Sequence, residues 1–497
     1  MKRDILYKST RNAALSVTAS EAVLSGLSAE GGLFVPEEVP PLPMSLSELA
    51  GLSYKETAYE IMKLFLTDFS KEELLSCIEG AYDEKFDTPV IAPLRKAGNS
   101  WFMELFHGPT IAFKDMALSF LPRLMTTAAK KHGVEDTIVI LTATSGDTGK
   151  AALAGFAGVN GTKIIVFYPK DGVSRVQKLQ MVTQEGENTS VIGVDGNFDD
   201  CQSAVKRMFH DEDLKKRLKS GHFRFSSANS INIGRLIPQI VYYVYAYSRL
   251  LKNGDIKEGE EINFTVPTGN FGNILAGYYA KRMGLPVKKL ICASNENKVL
   301  FDFFKSGTYD KNREFILTSS PSMDILISSN LERLIYHAAG DDAQKTLELM
   351  NLLAKDGKYE IPESMKEELK DFVGVATSQA ETEEMIGTLF KETGYVIDPH
   401  TAVAAHGYRE YRKNTGDETP TVIVSTASPF KFAGSVVRAM QPGTEEKDDF
   451  KLINKLCELS GTGIPAAVKD LNTLPVLHSK TTAPDGMVSA VEEILGL

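Results

Sequence analysis

Short apolar, β-branched runs recur through the middle and end of the chain: TIVILTA (137–143), KIIVFYP (163–169), SVIGV (190–194), INFTV (262–266), KLICAS (289–294) and TVIVST (421–426). Segments with helical periodicity lie between several of them, at 149–158, 199–210 and 234–251. A nearly continuous apolar strand needs a sheet covered on both faces, and its alternation with helices predicts an α/β fold with parallel sheets. Nearer the start, YKETAYEIMKLFL and SKEELLSCIEGAY read as helices, the second opening with Ser70 and Glu73 in capping-box spacing. GGLFVPEEVPPLP, punctuated by Gly and Pro, predicts a loop over the main body. Residues 340–395 are charged and helix-rich, as in AQKTLELMNLLAKDGK. The expected layout is a mostly helical N-terminal extension (1–88), a smaller α/β domain carrying the lysine segment described below (89–250), and a larger α/β domain (251–497) with a helical elaboration near 340–395.

Composition narrows the function classes. A formal net charge of −10 over 497 residues excludes a broad basic face for nucleic acid. The four cysteines (Cys77, Cys201, Cys292, Cys457) are far apart and form no CxxC pair, so neither a metal site nor a disulfide framework is expected. No apolar h-region follows MKRDILYKSTRN, and no run of about 18 apolar residues predicts a membrane span. The expectation is a soluble cytoplasmic protein acting on a small molecule, with its oligomeric state open between monomer and homodimer.

Four segments have chemical potential. In HGPTIAFKDMALSFLPRLM (107–125), Lys114 follows Ile111, Ala112 and Phe113 at the start of an amphipathic helix. The helix dipole disfavours a cation there, and desolvation leaves a neutral amine able to form an imine. A surface lysine paired with Asp115 is the plain alternative. In TIVILTATSGDTGKAALAGFAG, a strand feeds a small-residue loop (Thr144, Ser145, Gly146, Asp147, Thr148, Gly149) suited to an anion. It is not a Walker A loop, because Thr144 replaces the first glycine and Ala151 the metal-binding hydroxyl. In INFTVPTGNFGNILAGYYAKRMGLP, the loop Gly269-Asn270-Phe271-Gly272-Asn273 again joins a strand to a helix, where free amides can cradle a phosphate. In TVIVSTASPFKFAGSV, Ser425 and Thr426 end a strand, and a hydroxyl there can bond a heterocycle's ring nitrogen. Each loop also reads as an ordinary turn taken alone.

Together these segments resemble the threonine synthase family, of the pyridoxal 5′-phosphate (PLP) fold type II group. The motifs are HGPTIAFKD, ATSGDTG, PTGNFGN and STASPFKF, with YKSTRN, SAEGGLFVP, ANSINIGRLIPQ (228–239) and GYVIDPHTAVA (394–404) in the family's order. The resemblance implies two parallel-sheet α/β domains with PLP in the cleft between them and an N-terminal extension; the helix-rich stretch near 340–395 is then an insertion in that plan. It implies that Lys114 carries PLP, that Gly269, Asn270, Phe271, Gly272 and Asn273 hold its phosphate, and that Thr426, or Ser425, faces the pyridine nitrogen. Thr144, Ser145 and Thr148 match binders of the substrate carboxylate, and Asn232 and Arg235 match candidates for the substrate phosphate. Asp147 stands where many fold type II enzymes have an Asn that donates to the cofactor's phenolate oxygen. An ionised Asp cannot donate, and Asn232 is one candidate for that contact. No metal is implied.

The implied reaction converts O-phospho-L-homoserine and water to L-threonine and phosphate. The alternatives are a phosphohomoserine lyase or a serine/threonine dehydratase-like enzyme, or a non-catalytic regulator of the same fold. Isolated histidines are more often structural than catalytic, so His107, His400 and His406 receive no role, and Asp398 and His400 of the DPHTA run have none from sequence.

Overall fold

A computed structural model describes residues 4–144 and 146–497. Its centre is a pair of open sheets. The first has five parallel strands in the order Thr481–Thr482, Thr189–Val194, Thr162–Pro169, Thr137–Ala143, Phe223–Ser226. The second has six, in the order Phe372–Ala376, Val287–Ser294, Ile262–Pro267, Thr421–Ser425, Ser100–Glu104, Leu94–Ala97, all parallel except the last, antiparallel pair. Val139, Ile140 and Leu141 are fully buried, as are Phe264, Val266, Val422 and Val424. Side chains on both faces of these strands are covered, which is why the runs read as apolar without alternation.

The chain crosses between the sheets more than once. Strands Leu94–Ala97 and Ser100–Glu104 belong to the six-stranded sheet although they precede the strands of the five-stranded one. Thr481–Thr482, near the chain's end, returns to the five-stranded sheet. Within 340–395, helices run over Ala343–Asp356, Glu363–Glu368 and Gln379–Thr393, but Phe372–Ala376 is the edge strand of the six-stranded sheet. That stretch is therefore partly a structural layer of the sheet, not only an elaboration upon it.

The first 82 residues combine helices with a small antiparallel sheet ordered Asn12–Val17, Tyr7–Ser9, Phe34–Pro36. The Phe34–Pro36 stretch, expected as loop, is a strand because Tyr7–Ser9 lies opposite it, and Phe34 and Val35 are buried. Helix Lys71–Ala81 carries the capping box of Ser70 and Glu73. At the junction of all three parts lies helix Ile233–Asn253, buried along most of its length. Among the described residues no helix is long and apolar enough to cross a membrane.

Candidate active site

The strands Thr137–Ala143, Ile262–Pro267 and Thr421–Ser425 all end in loops that converge, and clefts at the carboxyl ends of parallel strands are where ligands bind in such sheets. Lys114 opens helix Lys114–Leu118. Its position is set by the end of the central strand: the Phe113 amide donates to the Thr426 carbonyl (2.8 Å), the Ser428 amide donates to the Ile111 carbonyl (3.0 Å), and Ala112 bridges Ala427. The amine and the Thr426 segment are thus built as one unit.

Lys114 is 9% exposed, so its amine does not face bulk water. Nζ donates to Ser322 Oγ at 3.2 Å and stands 3.8 Å from Asp147 Oδ2. Burial pushes the amine down to about 8; Asp147 opposes the fall, and Lys431 and Arg235 add to it. A lysine in this state exchanges protons near neutral pH.

Asp147 is the electrostatic hub. It begins helix Asp147–Phe156, where a carboxylate complements the dipole. Oδ1 pairs with Lys431 Nζ at 3.1 Å and accepts from Gln177 Nε2 at 2.9 Å, while Oδ2 accepts from Ser322 Oγ at 3.1 Å. Burial alone raises its acidity constant's exponent, but Lys431, Lys114 and Gln177 together outweigh burial and hold the carboxyl well below the usual carboxylate range. Gly146, at φ 134°, has Gln177 so close that a Cβ would fall 2.5 Å from its amide carbon, so only glycine permits this approach.

The Gly269–Asn273 loop has the build of an anion cradle. Phe271 adopts a left-handed conformation (φ 65°) and leads into helix Gly272–Arg282 without a side-chain cap. Among the described residues none accepts from the amides of Asn270, Phe271, Gly272 or Asn273. Asn273 Oδ1 accepts from the hydroxyls of Tyr242 (2.6 Å) and Tyr243 (2.8 Å), which leaves its buried Nδ2 without a partner. A buried donor in that state calls for an acceptor from a ligand. The Ser322 carbonyl oxygen rests on Gly269, where no Cβ fits, so one residue touches both Lys114 and the cradle.

The other expected site residues divide. Arg235 is 3% exposed; Nη1 donates to the Ala228 carbonyl at 3.0 Å, and its Nε has no partner among the described residues. Burial lowers its guanidinium to about 10. It lies close enough to Lys114 to depress that amine, and it demands an anion. Thr426 is buried at the strand end, and among the described residues nothing bonds its hydroxyl. Ser425 is engaged instead with Thr401 Oγ1 (3.0 Å). The Thr144 hydroxyl accepts from the amides of Gly146 and Gly149 (both 2.9 Å), so it shapes its own loop. Thr148 is half-buried on the first helical turn, and Ser145 lies outside the described residues. Asn232 is taken up elsewhere: it caps helix Ile233–Asn253, and its Nδ2 donates to the Val23 carbonyl at 3.0 Å. It is a structural clamp between that helix and the N-terminal extension.

Sequence reading missed Ser322, Lys431 and His400. Lys431 is buried with a fully covered side chain, donating to the Thr110 carbonyl (3.0 Å) as well as pairing with Asp147. The signal for it was present, since a lysine between two phenylalanines in PFKF is a candidate for burial. Ser322 carries no local signal, and His400 stood out only within the DPHTA run, which gave it no role. Among the described residues no cluster of metal-ligating side chains occurs.

The unbonded amides, the Asn273 donor, the buried amine and the free Thr426 hydroxyl together fit PLP: a phosphate, an aldehyde and a ring nitrogen each find a partner of the right chemistry. Comparison with known proteins agrees. Residues 83–427 match the family described as pyridoxal-phosphate dependent enzyme, 6–82 match threonine synthase N terminus, and 401–480 match threonine synthase, C-terminal. Human threonine synthase-like 1 is 41% identical over 475 residues, covering 92% of this chain; the chain spans 61% of that relative's length. Threonine synthase of Schizosaccharomyces pombe is 38% identical, covering 88% of this chain and 90% of its own length. The crystal structure of PLP-bound threonine synthase from Brucella melitensis superposes with a TM-score of 0.87 at 35% identity, covering 99% of both chains. The yeast enzyme gives 0.88 at 33%, with the same coverage. With a lysine, a phosphate cradle and a fold that agree over this length, the chain belongs to the threonine synthase family of PLP-dependent enzymes, fold type II.

Proposed function

We propose that this chain converts O-phospho-L-homoserine and water to L-threonine and phosphate. The observation that carries the reading is the unmet demand for anions around Lys114. Asp147 is already paired with Lys431, and Asp115 is held by the Thr110 amide (2.8 Å) and hydroxyl (2.6 Å). Arg235, the cradle amides and Asn273 Nδ2 remain. One phosphate on the cradle leaves Arg235 for a second anionic group, which a phosphorylated amino acid provides.

Bound here, PLP supplies an electron sink for carbanion chemistry at the α-carbon of an amino acid. Lys114 Nζ takes a proton from that carbon and returns one, which its lowered basicity allows near neutral pH. The Thr426 hydroxyl would hold the ring nitrogen, and as a neutral group it would leave that nitrogen without a full proton. Gly269–Asn273 fix the phosphate, and Arg235 orients the substrate's phosphate. Thr144, Ser145 and Thr148 are assigned to the substrate carboxylate or its vicinity. The four cysteines, all free, are consistent with a cytoplasmic setting.

The decisive experiment incubates the purified holoenzyme with O-phospho-L-homoserine and quantifies threonine, phosphate and 2-oxobutyrate. Threonine and phosphate in equal amounts are expected. Phosphate with 2-oxobutyrate in place of threonine identifies a lyase and overturns the synthase reading.

A further inference from the structure

The DPHTA run and Ser322 have no place in the scheme above, and in the fold they meet. Asp398 caps helix Pro399–Thr415, accepting from the amides of His400 (2.9 Å) and Thr401 (3.1 Å). Its Oδ2 also lies 2.6 Å from His400 Nδ1. On the other side of the ring, His400 Nε2 accepts from the Ser322 backbone amide at 3.2 Å. A ring nitrogen that accepts an amide proton is bare, so the imidazole proton sits on Nδ1, facing Asp398. Asp398 is fully buried, His400 is 3% exposed, and the Phe432 ring packs against the imidazole with centroids 5.0 Å apart.

Ser322 is therefore gripped on two sides. His400 holds its N–H, and its carbonyl lies on Gly269, where no side chain fits. This grip aims the hydroxyl between two charged groups: Oγ accepts from Lys114 Nζ at 3.2 Å and donates to Asp147 Oδ2 at 3.1 Å. The direct separation of amine and carboxylate, 3.8 Å, is too long for a hydrogen bond. The hydroxyl is the only link that satisfies both among the described residues.

We propose that Ser322 is a catalytic residue whose hydroxyl couples the Lys114 amine to Asp147, and that Asp398 and His400 are positioning residues that hold it there. The proposal rests on the reading of Lys114 as the proton-transferring amine. No proton passes to Asp147, which Lys431 keeps ionised. The hydroxyl instead gives the ammonium form of Lys114 an acceptor and carries the carboxylate's charge to it. The charged groups facing Lys114 are Asp147, Lys431, Arg235 and Asp115, and of these only Asp147 reaches it through a bonded intermediary.

The test compares wild type with Ser322→Ala, His400→Leu and His400→Gln as holoenzymes. Two quantities are followed against pH: kcat and KM with O-phospho-L-homoserine, and the visible absorbance of the bound cofactor. Ser322→Ala is expected to lower kcat by about tenfold or more while KM changes little. The alkaline limb of its kcat profile and the midpoint of its absorbance titration should both move to lower pH, by about one unit. His400→Leu should reproduce both shifts. His400→Gln, which keeps a side-chain carbonyl as acceptor for the Ser322 amide, should restore most of the wild-type profile. Should Ser322→Ala lose the cofactor, Ser322→Cys reads the same limb. An unmoved limb and midpoint in Ser322→Ala overturns the coupling. A His400→Leu enzyme that is merely less stable, with the wild-type pH profile, removes the positioning role. If wild type forms no threonine, the reaction reading fails by itself, and the absorbance titration alone then decides for or against Ser322.

Discussion

At the scale of single residues, the site holds groups that the fold would be better off without. Burying Lys114 disfavours its charged form, so its folded value near 8 lies below the value of about 10.4 in an unfolded chain. Below pH 8 both states carry the proton, and the folded state bears the full cost of a buried ammonium. As pH rises from 8 towards 10 the unfolded chain alone keeps its proton, and the cost fades. Lys114→Met should therefore abolish both the visible cofactor band and turnover, yet stabilise the cofactor-free chain by about 1–3 kcal/mol at pH 7. That gain should shrink by pH 9.5, and thermal unfolding of both proteins at the two pH values checks it. Arg235 offers a second discrimination. Its Nε has no partner among the described residues, and its assignment to substrate and not to cofactor is open to direct test. Arg235→Ala is expected to raise KM for O-phospho-L-homoserine by about tenfold or more. Cofactor affinity, measured by fluorescence titration, should change far less, and equal losses would remove Arg235 from the substrate site.

At the scale of elements, the cradle is aimed by parts of the chain that never touch a ligand. The Asn270 carbonyl accepts from both the amide (3.1 Å) and Nδ2 (3.0 Å) of Asn330, and the Gly269 carbonyl accepts from Ser328 Oγ (2.6 Å). With the carbonyls pulled one way, the amides point the other. Asn330 is itself oriented by Arg333, which is fully buried and also donates to the carbonyls of Phe34 (2.8 Å) and Ile231 (2.5 Å). Phe34 belongs to the N-terminal sheet, and neighbouring Glu332 is gripped by Arg11 (2.7 Å) and Thr10 (2.6 Å). The extension thus buttresses the Gly269–Asn273 loop through the Arg333 guanidinium, with Glu332 as a second tie. Arg333→Met leaves three acceptors without a donor and should destabilise the fold by about 2–4 kcal/mol. It should also weaken cofactor binding by about tenfold, measured in denaturant-free titrations where the variant is still folded. Unchanged affinity would mean the loop holds its shape unaided. This strut explains what was legible beforehand. Strand Thr137–Ala143 and the glycine loop at 269–273 declare themselves locally, one by unbroken apolarity, the other by residues that permit close backbone approach. Strand Phe34–Pro36 does not, because it is a strand only opposite Tyr7–Ser9. Phe372–Ala376 was hidden by the charged helices on either side of it. Ser322 and His400 acquire meaning only where segments far apart in sequence meet, and Asn232, legible as a motif residue, turned out to clamp the extension.

At the scale of the whole molecule, one buried carboxylate links the two sheets. Asp147 and Gln177 come from the side of the five-stranded sheet, whereas Lys431, Ser322 and Lys114 come from segments following strands of the six-stranded one. Such a latch has a definite energetic signature. Lys431 has no exposed side-chain surface, so replacing Asp147 by Asn strands a buried cation, and replacing Lys431 by Met strands a buried carboxylate. Each single change should destabilise by about 3–5 kcal/mol. Removing both charges together should cost clearly less than the sum of the two, because neither partner is then left uncompensated. The sign with pH follows from Asp147: its folded value is depressed, so the contribution is present above the unfolded value of about 4 and is lost as pH falls towards the folded one. Urea unfolding of the four proteins of this cycle at pH 7 measures the coupling. Additive losses would show that Asp147 and Lys431 act independently and that other contacts, such as Arg175 with Asp448, hold the cleft shut. A positive coupling, accompanied by faster amide exchange around 146–156 and 428–436 in both single variants, ties closure of the cleft to the same carboxylate that faces the lysine, so that the site is assembled only when the two halves are together.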